Sequence, residues 1–221
     1  FGDRVAVTID GASYVSGGPN AMDAPLSYSS PLITESLTLT RGISSVSAAP
    51  ETLGGHFSAK LARGEFTDQD GMTASGFAAS RYNASGSQST TAGRLTGASA
   101  SHKVSLLAEV DRGDDISTPV GDIIPSEMSR NRFDLSYGYR SEASEWLVYG
   151  GQLDTQDSGT PALAMDIRSI ETDLAGVSYS QAVSETLRVK ARIDANDVSH
   201  WMDNFSLRQA PAMPMAYRQN F

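Results

Sequence analysis

The sequence predicts an all-β membrane barrel, incomplete and antiparallel, and three observations predict it. Long stretches alternate apolar and polar residues with a period of two, as in Val104, Leu106, Ala108 and Val110 or Phe133, Leu135, Tyr137 and Tyr139, the pattern of a strand with an oily face and a wet face. The connections alternate in length: SHK, SEAS and AVSE are short, whereas NASGSQS, DDISTPVGDIIPSEMS, the segment around SGTPALAMD and everything after Asn204 are longer. Short turns on one rim and longer loops on the other are the layout of an outer-membrane barrel. Finally, twenty glycines, abundant Ser, Ala and Thr and few long aliphatic runs favour strands joined by turns over helices.

In chain order, residues 4 to 9, RVAVTI, set Val5, Val7 and Ile9 against polar neighbours and run into Asp10-Gly11, a strand ending in a turn. The following SYVSGGPNAMDAPLSYSSP is rich in Gly, Pro, Ser and Asn and reads as a loop, with Met22 in polar surroundings. Glu35 to Gly42, ESLTLTRG, is a second strand with Leu37 and Leu39 on one face, and Pro50 to Arg63 gives a Gly-Gly turn and a third strand. After Phe66 the pattern changes to long strands, expected at 73 to 82, 90 to 100, 103 to 112, 131 to 140, 145 to 156, 170 to 181 and 186 to 202. These are about as long as the roughly 9 to 11 residues that cross a bilayer at a tilt.

The order VAVTIDG, ESLTLTRG and ETLGG before a strand resembles the second half of the plug of a TonB-dependent outer-membrane receptor. Residues 1–66 are then the C-terminal part of an α+β plug domain, and 67–221 the first strands of the transmembrane barrel. Seven strands do not close a barrel, and receptors with a plugged lumen have about 22. The chain is therefore expected to be a fragment that begins in mid-plug and stops in an extracellular loop. The family's activity is energy-dependent import across the bacterial outer membrane. The resemblance implies as partners the outer-membrane lipid, a metal or small-molecule cargo and the inner-membrane TonB complex, engaged by a segment before Phe1.

The last long strand carries the candidate site. From Leu187 the odd positions are apolar and the even ones polar or charged, and in the same register His200 and Met202 project side by side from the wet face. Met213 and Met215 repeat the i, i+2 spacing. Thioethers and imidazole are soft or borderline ligands, and methionine selects Cu(I) over hard ions. Met22, Met202, Met213 and Met215 fall in loops or at rims, where burial does not explain them, whereas Met72, Met128 and Met165 read as ordinary. The alternative is a flexible methionine lip that contacts an organic ligand. Arg188, Lys190 and Arg192 on the same face are expected to pair with carboxylates.

Gly18 to Tyr28, GPNAMDAPLSY, and His200 to Arg208, HWMDNFSLR, followed by MPM, are similar to the copper-receptor-like branch of the family. In that branch a Cys-x-x-x-Met in the plug and a His-x-Met in the barrel wall hold the metal. The resemblance implies a copper ion as cargo, with Met22, His200 and Met202 as ligands. Gly18 stands where the cysteine would be, so one thiolate is missing, and Met213 or Met215 would fill the gap. Two other readings stand beside it: a receptor for a metal chelate or other organic nutrient, and a secreted all-β surface binding module.

Composition narrows the remaining classes. Cysteine is absent, so disulfides, thiolate metal sites and thiol nucleophiles are excluded. A formal net charge of -9 speaks against nucleic acid as a partner. No Gly-x-Ser-x-Gly elbow, His-Glu-x-x-His, phosphate loop or dinucleotide fingerprint occurs, so no enzyme is expected. His56 and His102 read as ordinary histidines.

Overall fold

The computed structural model describes residues 5–13, 25–43 and 52–221. The chain divides into two compact units, Phe1–Ala62 and Arg63–Phe221.

In the first unit, β1 (Val5–Ile9), β2 (Thr34–Arg41) and β3 (Gly55–Leu61) form a sheet in the order β1-β3-β2, with β1 parallel and β2 antiparallel to β3. The turn expected after β1 forms at Asp10 and Gly11, both at positive φ, and the Asp10 carboxylate accepts the Leu61 amide at 2.8 Å. That bond ties the end of β1 to the end of β3. Ile9, Tyr28, Ile33, Ala59 and Leu61 are buried, whereas Leu37 and Leu39 stay exposed on edge strand β2. Among the described residues of this unit helix is confined to a 3-10 turn over Pro25–Tyr28, and no α-helix occurs among the described residues of either unit.

The second unit is built on one antiparallel sheet. Its long strands are β4 (Thr73–Asn83), β5 (Gln88–Ala98), β6 (His102–Gly113), β9 (Met128–Arg140), β10 (Ser144–Ser158), β11 (Asp166–Ala182) and β12 (Arg188–Asp203). All seven overlap the predicted stretches; five are extended by one or more residues, β5 is displaced two residues toward the N-terminus, and β12 begins two residues later and ends one later. A two-residue strand, β13 (Gln219–Asn220), pairs with Met202 and Asp203, giving the order β13-β12-β11-β10-β9-β6-β5-β4. The segment after Asn204 is thus not loop throughout. A hairpin of β7 (Ile116–Thr118) and β8 (Gly121–Ile123) sits inside the connection read as a plain loop. The connection after β4 is only 84–87, because β4 and β5 run on to Asn83 and Gln88.

The period of two separates the faces. Lys103, Ser105, Glu109 and Asp111 of β6 are buried, while Val104 and Val110 are exposed. In β9, Arg132, Asp134 and Ser136 are buried, and Phe133, Leu135, Tyr137 and Tyr139 point the other way. The exposed face is therefore the apolar one, the inverse of a water-soluble sheet and the arrangement that lipid selects. His102, Tyr139, Trp146 and Tyr179 are direct cross-strand neighbours, making one aromatic row over β6, β9, β10 and β11 close to the short turns. Trp146 and Tyr179 pack at 4.3 Å between ring centroids. Such rows are expected where a barrel wall meets a membrane interface.

The buried face is polar and paired. Arg63 and Arg132 share Asp134, at 3.1 and 2.5 Å, with all three buried. Tyr149 donates to Asp194 and accepts from Arg192 at 2.8 Å, and Arg192 also meets Asp194 at 2.6 Å. The pairing expected for Arg192 thus lies within its own strand. Gly176 lets the Tyr149–Asp194 pair cross β11, since a Cβ there would lie 2.5 Å from both the Tyr149 hydroxyl and the Asp194 carboxylate. Gly176→Val is expected to cost about 1–3 kcal/mol by overpacking, readable as a lower temperature of the heat-modifiable transition of the full-length protein on a gel.

Candidate metal centre

β12 runs from the short turn at 183–187 to the rim of the long connections, and its last residues carry the candidate ligands. His200 is 7% and Met202 1% exposed, with Trp201 between them at 37% on the opposite face. Their neighbours on β11 are apolar, His200 pairing with Ile170 and Met202 with Ile167, while on its other side Met202 faces Asn220 of β13. Imidazole and thioether therefore share one buried face, as the spacing predicts. Met202 is not a rim methionine left unexplained by packing, because burial of such a side chain is itself worth about 1.5–3 kcal/mol.

Between the two pairs β11 carries a bulge at Arg168, which stands out of register between Ile167 and Ser169. A bulge bends its strand and re-aims neighbouring side chains, and bulges concentrate beside functional sites. The Arg168 guanidinium lies 2.8 Å from Asp157 and 5.7 Å from the centre of the Trp201 ring. Nothing in the sequence pattern of β11 announces it.

Met213 and Met215 are 68% and 95% exposed. The extended geometry that would put them side by side does not form. Met213 is extended, but Pro214–Ala216 closes a 3-10 turn in which residues two apart diverge. Met22 and Gly18 lie outside the described residues. Among the described residues no group of three or more His, Asp or Glu side chains could hold a metal.

The other histidines have ordinary hydrogen bonds. His56 Nε2 meets the Thr8 hydroxyl at 2.8 Å, and His102 Nδ1 the Tyr137 hydroxyl at 2.9 Å. A cleft of about 360 Å³ on the first unit, lined by Leu26, Pro31, Thr34, Glu35 and Leu37 among others, offers one carboxylate, and Lys60 holds that at 3.1 Å.

The long-connection rim is acidic. Partial burial, and then the neighbouring carboxylates of Asp115, Asp157 and Asp166, raise the pKa of Glu127 from the ordinary value of 4.5, against the opposing field of Arg168. The Glu127 carboxyl holds its proton more tightly in the folded than in the unfolded chain, so stability falls as pH rises from that ordinary value through the raised one. Glu127→Gln should match the wild type below this window and melt higher above it. Thermal unfolding at one pH on each side checks this.

No protein-family model and no curated protein matches the sequence. Solved structures do match. The copper transporter OprC matches over 94% of this chain and 32% of its own, with a TM-score of 0.85 and 23% identity. The FrpB iron transporter from Neisseria meningitidis (F5-1 variant) matches over 91% and 32%, with a TM-score of 0.63 and 12% identity. The siderophore receptor PirA from Pseudomonas aeruginosa matches over 91% and 36%, with a TM-score of 0.58 and 10% identity. The chain spans about a third of the length of these structures. Likeness at such identities speaks for architecture: the fold of this chain is that of part of a TonB-dependent receptor.

Proposed function

We propose that the chain is part of an outer-membrane, TonB-dependent importer, with residues 1–66 in the plug and 67–221 in the barrel wall, and that its cargo is copper. His200 and Met202 are the ligands from the wall. Met22, read from the sequence alone, is the ligand from the plug, and Met213 and Met215 stand nearby on the loop after β12. The observation that carries this reading is the pairing of a buried imidazole and a buried thioether on one face of a strand end. Neutral soft donors favour Cu(I), which carries a single charge and tolerates low coordination, over Mg²⁺ or Ca²⁺. Similarity to a copper transporter supports it.

Lipid would contact the exposed apolar face of β6 to β12, and the inner-membrane TonB complex would act on the plug side. The function is tested by titrating the full-length receptor with Cu(I) against a competing chelator. Tight one-to-one binding supports the reading, and no binding overturns it. If Met213 or Met215 replaces the thiolate that Gly18 cannot supply, Met213→Ala or Met215→Ala weakens the complex, and unchanged affinity in both removes them from the ligand set.

A second reading, a receptor for a metal chelate, is favoured by Gly18 itself: without the charged thiolate the site has no anionic ligand among its named members. Similarity to an iron transporter and a siderophore receptor supports it too. Uptake of the chelate by cells that take up no free copper would decide for it.

A further inference from the structure

We propose that Arg208 is a positioning residue for metal capture, fixing the loop that carries Met213 and Met215 against the strand end that carries His200 and Met202; this rests on the copper reading. Asp166 and Asp203 are paired directly across β11 and β12, and both are fully buried. Two carboxylates side by side and out of water each need compensation. Asp203 finds it in the start of its own loop, accepting from the amides of Phe205 at 3.0 Å and Ser206 at 2.8 Å and from the Ser206 hydroxyl.

Asp166 finds it in Arg208, which grips both carboxylate oxygens in a two-pronged ion pair. The same guanidinium donates to the carbonyls of Leu163 at 3.0 Å and Thr160 at 3.4 Å. One side chain thus ties two long connections to β11, a task that suits a planar fork of donors better than the point charge of lysine. The base of the loop is closed separately. The Asn204 side chain donates to the Ala216 carbonyl at 3.0 Å and accepts the Arg218 amide at 2.9 Å, and β13 pairs beside it. Between Arg208 and this closure the exposed methionines sit on a span held at both ends. Ordering that span when the protein folds spares the ordering from the binding step.

A double-mutant cycle on the full-length receptor tests the assignment, with folding checked by heat-modifiable gel migration. Arg208→Ala is expected to weaken Cu(I) binding about tenfold, the low end of what partners behind the ligands supply, and Arg208→Lys is expected to recover only part of it. In a Met213→Ala, Met215→Ala background Arg208→Ala should change nothing further, because it acts through those residues. A full loss in that background, or no loss in the parent, overturns the proposal. Hydrogen exchange in metal-free protein separates this from the copper reading: Arg208→Ala should speed exchange at Phe205, Ser206 and Arg218. Unchanged exchange overturns the positioning role, whereas a wild type that binds no Cu(I) overturns the copper reading and leaves the hold of Arg208 on the loop to be read from exchange alone.

Discussion

Replacing His200 and Met202 together by alanine is expected to weaken Cu(I) binding by the full-length receptor on the order of 100-fold or more, since partners behind metal ligands alone are worth about 10–100-fold. Chelator competition reads the effect, and the single substitutions apportion it. Met202→Ala also opens a cavity, because the side chain is buried, so its stability must be followed in parallel. His200→Ala carries the cleaner signal. A double variant that keeps wild-type affinity, with its fold intact, would remove this strand end from the site and leave the buried pair as packing.

The largest stability effect is expected at Asp134. Its carboxylate is 1% exposed and is shared by Arg63 at 3.1 Å and Arg132 at 2.5 Å, both themselves buried. Asp134→Ala takes the shared anion from two guanidiniums, and breaking a buried ion pair from one side costs about 3–5 kcal/mol. Asp134→Asn, which keeps two lone pairs near the arginines, should cost less. Asp122→Ala, on the exposed β7–β8 hairpin, should stay within about 0.5 kcal/mol. Urea unfolding of the full-length protein in detergent orders the three variants, and equal midpoints for Asp134→Ala and Asp122→Ala would contradict the account.

What the sequence reveals follows from the range of each interaction. Alternation is local, so β6 and β9, with their regular Val, Leu, Phe and Tyr positions, can be read directly, and the register that puts His200 and Met202 on one face comes with β12. β4 and β5, made largely of Ala, Gly, Ser and Thr, show less pattern, and there the bounds drift: β5 spans Gln88–Ala98 where 90 to 100 is expected, and the connection before it is shorter than its Gly and Ser content suggests. The β7–β8 hairpin was hidden because IST and GDI are short runs within an Asp, Pro and Gly stretch, where turn chemistry dominates any alternation. Pro214 converts the expected extended Met-x-Met into a 3-10 turn, a local effect that the i, i+2 rule for strands overlooks. The bulge at Arg168, the Arg63–Asp134–Arg132 cluster and the grip of Arg208 on Asp166 join residues distant in the chain or depend on pairing. No single segment encodes them.

The most direct measurement is copper X-ray absorption on the full-length receptor loaded with one equivalent of Cu(I), beside its His200→Ala, Met202→Ala variant. The account predicts a first shell that contains sulfur and an imidazole nitrogen in the wild type, with both contributions reduced or the metal absent in the variant. A wild-type shell of oxygen and nitrogen alone, or one that the double substitution leaves unchanged, would contradict it.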